Sequence, residues 1–160
     1  MPSLMPLAED LAERLKARKQ TLAVAESSSG GLVSAALLAV PGASAYFLGG
    51  AVVYTGKARM ELVHLTREDV AGMRSASEPY ALLLARTARE NFGATWGISE
   101  TGAAGPRGNA YGDASGHTCI AVSGPVEMAV TVETGHDDRA RNMEEFARAL
   151  LDLLSTAMGD

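Results

Sequence analysis

Three segments of the chain hold residue types able to work on a small polar molecule. Glu26-Ser27-Ser28-Ser29-Gly30-Gly31 sets three hydroxyls beside two glycines. Hydroxyls donate hydrogen bonds or, once activated, attack an electrophile. Gly30 and Gly31 let the backbone approach a ligand closely. If a helix opens there, its free N–H groups suit a phosphate or an oxyanion. A plain serine N-cap followed by a glycine turn uses the same residues without any chemistry. The second segment, Thr101-Gly102-Ala103-Ala104-Gly105-Pro106-Arg107-Gly108-Asn109, can curl its amides into an anion-binding nest, with Arg107 adding a fixed charge. Its alternative is a mobile surface loop. The third, Tyr54-Thr55-Gly56-Lys57-Ala58-Arg59, offers Lys57 as a base, provided desolvation lowers its pKa. An ordinary solvated lysine is the competing reading.

These segments need a frame, and hydrophobic periodicity supplies one. Residues 7–19 read as a helix, with Leu7, Leu11 and Leu15 on one face, Glu9 and Asp10 early, and Lys16, Arg18 and Lys19 late, in the sense of the helix dipole. Residues 21–25 form a short buried strand. Gly30 and Gly31 open a helix over 32–40 that Pro41-Gly42 ends. Residues 51–54 read as a strand after Gly49-Gly50, and 57–65 as a helix. Thr66 and Asp69 form a capping box that should start a small helix. Ser77 caps another helix, with Pro79 in its first turn and Gly93 beyond its end. Residues 95–99 are a strand, 101–116 a loop with five glycines, and 117–122 and 126–132 a hairpin. The last helix, 138–157, presents Met143, Phe146, Leu150 and Leu154 on one face. The expected fold is α/β, a three-layer α/β/α sandwich with a mixed central sheet, formed by residues 1–160 as a single domain.

Composition narrows the function classes. The chain has 160 residues, a net charge of −5 and 47% hydrophobic residues. An acidic balance argues against nucleic acid as the partner, and the apolar runs are too short to span a membrane. No signal peptide is visible at the N-terminus. The single cysteine, Cys119, fits a cytoplasmic setting and a buried core thiol. His64, His117 and His136 are far apart, so neither a metal nor any other cofactor is expected.

Taken together, the segments resemble the CinA C-terminal domain family of nicotinamide mononucleotide (NMN) deamidases. The resemblance rests on Ala25 to Gly31, Pro41-Gly42-Ala43-Ser44-Ala45-Tyr46-Phe47, Val53 to Arg59, Ser77-Glu78-Pro79, and Thr101 to Gly108, in order and in spacing. It implies hydrolysis of the NMN carboxamide to nicotinate mononucleotide and ammonia, without a metal, by a serine nucleophile and a lysine base. Ser27 takes the nucleophile position, and Tyr54 assists at the reacting group. The substrate is held by Ser28, Ser29, Gly30, Gly31, Thr101, Gly102, Ala104, Gly105 and Arg107, with Arg139 near the last helix.

The chain departs from the family pattern at its base. The family lysine falls at Arg59, and arginine stays protonated at any working pH. Lys57, two residues earlier, would need a shifted turn to take its place. Ser28 stands where the family has cysteine. This pattern also admits a homologue that binds a nucleotide without deamidating NMN. The resemblance further implies a homo-oligomer and a small-molecule nucleotide substrate. Full-length relatives carry an additional N-terminal domain, and this chain is expected to stand alone.

Overall fold

The computed structural model of the protein describes residues 1–159. Helix α1, Met5–Arg18, buries Ala8, Leu11, Ala12 and Leu15, the i, i+3, i+4, i+7 stripe of an amphipathic helix. It starts two residues earlier than its leucines suggest, so Glu9 and Asp10 lie in its second turn. Strand β1, Leu22–Glu26, is buried along its whole length. Helix α2 covers Leu32–Leu38, strand β2 Phe47–Val52, and helix α3 Gly56–Val63. Helix α4, Glu78–Phe92, is capped by Ser77 and ends at Gly93 in the left-handed conformation. Strands β3, Trp96–Ala103, β4, His117–Ser123, and β5, Glu127–Glu133, precede helix α5, Arg139–Met158. The Asp138 side chain caps α5 by accepting the Arg141 amide.

The strands form one five-stranded sheet in the order β2-β1-β3-β4-β5. β1 pairs in parallel with β2 and β3, while β3–β4 and β4–β5 are antiparallel. Strand periodicity divides the side chains between two faces. Leu22, Val24, Trp96, Ile98, Ile120 and Val122 meet α1, α2 and α5 in the main core. On the other face Ala23, Ala25, Cys119 and Ala121 meet α3 and α4. That second face is built of small residues because α4 lies very close to it. A Cβ at Gly97 would come within 1.9 Å of the Ala85 carbonyl oxygen. The result is the mixed-sheet, three-layer α/β/α arrangement expected from the sequence.

Three elements differ from expectation. β2 begins at Phe47, not Ala51, and takes in Gly49 and Gly50, which read as a break before the strand. Both glycines sit under crossing side chains: a Cβ would come within 2.6 Å of the Phe92 ring at Gly49 and 2.5 Å of the Ser34 hydroxyl at Gly50. The capping box at Thr66 and Asp69 forms, with reciprocal bonds of 2.7 and 3.2 Å, but closes only a turn, and no helix follows. β3 runs on to Ala103 because Thr101, Gly102 and Ala103 pair with Cys119, Thr118 and His117. The long loop is therefore 104–116.

Chain direction fixes where a ligand can sit. From β1 the chain crosses outward to β2, and from β3 it runs the opposite way to β4. Neighbouring strands whose connections diverge leave a crevice at their carboxyl ends. Ser27 and Gly102 lie there.

Candidate functional site

Two adjoining cavities occupy this crevice. The first, about 450 Å³, is lined by Ser27, Tyr54, Arg59, Tyr80, Thr101 and Tyr111 among others. The second, about 390 Å³, is lined by Ser28, Ala104, Gly105, Arg107 and Arg139. Tyr54, Gly102 and Asn109 border both. Each volume lies in the range of small-molecule sites. Consecutive serines thus open onto neighbouring chambers.

Beneath the serine turn lie two carboxylates, Glu26 and Glu100, each 0% exposed. Strand alternation places both on the face that carries Val24 and Ile98, at the end nearest α2. Glu26 accepts the Gly31, Val33 and Ser34 amides at 2.9, 3.2 and 3.0 Å, together with the Ser29 and Ser34 hydroxyls. The start of α2 does bind an anion, but that anion is the chain's own carboxylate. Glu100 accepts the Ser27 and Ser29 amides at 3.1 and 2.8 Å through Oε1. Through Oε2 it accepts the Ser28 and Thr118 hydroxyls at 2.6 and 2.7 Å. Amides and hydroxyls alone satisfy both buried carboxyl groups, with no lysine or arginine among these partners.

This geometry revises several expectations. Ser29 is fully buried and its hydroxyl is held by Glu26, so it serves the turn and does not face a ligand. The Gly31 amide is taken by Glu26 and the Gly30 amide by the Ser27 carbonyl at 3.0 Å, and neither glycine lines a cavity. Lys57 is exposed in the first turn of α3 and borders neither cavity. Arg59, two residues on, points into the first cavity, and its Nε donates to the Leu65 carbonyl at 3.2 Å. Positions i and i+2 diverge on a helix, which is why only one of them reaches the site. Thr101 lines the first cavity, but its hydroxyl accepts the Ala76 amide.

The glycine-rich loop is tied down on both sides. Asn142 of α5, fully buried, donates to the Ala104 and His136 carbonyls at 2.8 and 3.0 Å. Arg139 donates to the Gly105 carbonyl, and its Nη2 reaches the Tyr54 hydroxyl at 3.3 Å. Farther along, Asp113 pairs with Arg74 at 3.2 Å and approaches His117 at 3.6 Å. Both ring nitrogens of His117 face acceptors, Glu133 at 2.6 Å and the Ala76 carbonyl at 2.8 Å, an arrangement that suits the doubly protonated ring. Burial works to lower the His117 pKa, but Glu133, Ala76 and Asp113 together outweigh it and raise the value. Burial raises the Tyr80 pKa, with Arg59 opposing. Cys119, on the far face of the sheet, is a buried free thiol whose pKa burial also raises. Within the loop, the amides of Gly105, Arg107 and Gly108 make no bond to the described residues. They are thus uncommitted, unlike the amides at Gly30 and Gly31.

The sequence reading missed Glu100, Thr118 and the aromatic wall of Tyr80 and Tyr111. Glu100 had a legible signal. Trp96 and Ile98 mark the buried row of β3, and a period of two carries that row to residue 100. A carboxylate on a core row requires a hydrogen-bonding purpose.

Comparison with known proteins agrees with this architecture. The profile of the CinA C-terminal domain matches residues 4–158. The chain belongs to the CinA C-terminal domain family. A CinA-like protein of Anaeromyxobacter sp. (strain K) is 38% identical over 152 residues, covering 95% of this chain and 37% of that protein. A CinA-like protein of Parasynechococcus marenigrum is 39% identical over 122 residues, covering 76% of this chain and 29% of that protein. The chain thus spans about a third of the length of these CinA relatives. Among solved structures, a CinA superfamily protein from Escherichia coli superposes with a TM-score of 0.88 at 26% identity, covering 94% of this chain and 88% of that one. One from Enterobacter cloacae gives 0.87 at 28% identity, covering 96% and 90%.

Proposed function

We propose that the protein is an amide hydrolase that cleaves the carboxamide of NMN or a close relative, yielding the acid and ammonia. A serine alcohol of the 27–28 turn supplies the nucleophile, which splits the reaction into acyl transfer and hydrolysis. The observation that carries this reading is the coincidence of two features at the crevice of a CinA-family fold. Cavity-facing serines lie at the end of β1, and Arg139 lines the second cavity beside the uncommitted amides of Gly105, Arg107 and Gly108. The serine end suits a carboxamide, and the arginine and amide end suits a ribose phosphate. Tyr54, bordering both chambers, can contact the ring or the ribose.

The test is ammonia release from NMN by the wild type and by a Ser27→Ala/Ser28→Ala double variant. Wild-type release that the double variant lacks supports the reading, and equal release from both ends it.

A second reading is favoured by one observation: the cavities have Arg59 where the family has lysine, and Lys57 stays outside. On this reading the protein binds a nucleotide without turnover. Calorimetry would then show NMN binding from a protein that releases no ammonia.

A further inference from the structure

With Lys57 outside the site and Arg59 always charged, a serine here needs another proton acceptor. Four hydroxyls donate to the two buried carboxylates: Ser29 and Ser34 to Glu26, and Ser28 and Thr118 to Glu100. Of these four residues only Ser28 lines a cavity. Among the described residues Ser27, the nucleophile that the family resemblance implies, is bonded only through its backbone, by its amide to Glu100 and by its carbonyl to Gly30. We propose that Ser28 is the nucleophile of this site and Glu100 its general base.

The contact has the geometry such a pair needs. Ser28 Oγ lies 2.6 Å from Glu100 Oε2, within reach for direct proton transfer. A hydroxyl that gives its proton to a carboxylate keeps its lone pairs free, and Ser28 lines the second cavity. Glu100 is steadied unevenly. Two amides grip Oε1 and cannot reverse, whereas Oε2 meets only hydroxyls, which rotate and can accept as well as donate. When Oε2 takes a proton, the Thr118 hydroxyl can turn to accept a hydrogen bond from it, and Glu100 keeps that proton until the leaving group claims it.

The reaction balances on these groups. Ser28 Oγ bonds to the amide carbon while its proton moves to Glu100 Oε2. The C–N bond then breaks, Glu100 returns the proton to nitrogen, and ammonia leaves. Water adds to the acyl-enzyme, giving one proton to Glu100. The C–Oγ bond breaks, Ser28 regains its proton, and the carboxylic acid departs. Nothing is oxidised or reduced.

Only the choice of substrate here rests on the amide-hydrolase reading, so the test begins without a substrate. Wild-type protein is treated with a fluorophosphonate, and the modified residue is located by peptide mass spectrometry. The expected adduct is on Ser28. In Glu100→Gln its rate of formation should drop ~10²-fold or more. Ser27→Ala should still carry its adduct on Ser28. An adduct on Ser27, an adduct on neither serine, or an unchanged rate in Glu100→Gln overturns the pair. Ammonia release from NMN separates the two readings. A protein labelled at Ser28 that leaves NMN intact keeps the pair and loses the substrate. NMN hydrolysis that survives Ser28→Ala keeps the substrate and overturns the pair.

Discussion

At the scale of single residues, the serine turn is organised from below by its carboxylates. Glu26 collects three amides and two hydroxyls in a fully buried setting. Replacing it with alanine leaves those donors without an acceptor, and each buried unsatisfied donor costs about 1–3 kcal/mol. Glu26→Ala should therefore destabilise the protein by at least about 3 kcal/mol, read as a lower urea midpoint. An unchanged midpoint would mean that water or a shifted turn replaces the carboxylate. At this scale the sequence was half legible. The Ser27-Ser28-Gly30 composition marked the turn between β1 and α2, because hydroxyls and glycines favour helix starts in any case. It could not tell which hydroxyl faces outward, since Ser27, Ser28 and Ser29 differ only in the direction the turn gives them. Nor could it show that Glu26 had already claimed the helix start.

At the scale of elements, helices with clear punctuation were read closely. Ser77 and Gly93 bracket α4, and Asp138 opens α5. What misled were residues whose meaning depends on a neighbour. Gly49 and Gly50 look like a break but are spaces for Phe92 and Ser34. Thr101 and Gly102 look like loop but gain partners on β4. The same dependence makes His117 a useful probe, because it links β4 to β5 through Glu133 and to the 74–76 segment through Ala76. Its pKa is raised in the fold above the ordinary 6.5. The charged ring therefore contributes stability that is fully present below pH 6.5 and is lost as pH rises through the folded value. Thermal unfolding followed from about pH 5 to 9 should show the wild-type Tm falling above pH 6.5, with a flatter profile in His117→Gln. Equal slopes in the two proteins would remove the histidine from this role.

At the scale of the molecule, both sheet edges carry exposed groups with different consequences. On the β5 side Arg86 of α4 pairs with Glu127 at 2.6 Å, and this pairing, helped by Ser123, lowers the Glu127 pKa to about 2. A depressed carboxylate stabilises the fold above its unfolded value and loses that contribution as pH falls toward the folded value. The pair is partly exposed, so Arg86→Ala should cost no more than about 1 kcal/mol at neutral pH, and the difference from wild type should vanish in acid. On the β2 side Leu48 and Val52 are exposed on the edge strand, with Met60 and Leu62 of the following helix. An apolar strand edge of this kind favours association. We propose self-association through this edge: light scattering should report a mass above one chain for the wild type and a lower mass for Leu48→Lys.

The strap over the crevice has a longer consequence. Its near bank is nailed to the last helix by Asn142 and Arg139, and its far bank, through Asp113, to Arg74 before α4 and to His117 of β4. A lintel anchored in both walls need not keep its middle constant. Positions 107, 110 and 111 hang between the anchors, and a descendant of this sequence can reword them, changing which guest passes underneath, while Gly108, pressed against the Asp113 carbonyl, and Gly112, with its positive φ, stay with the masonry.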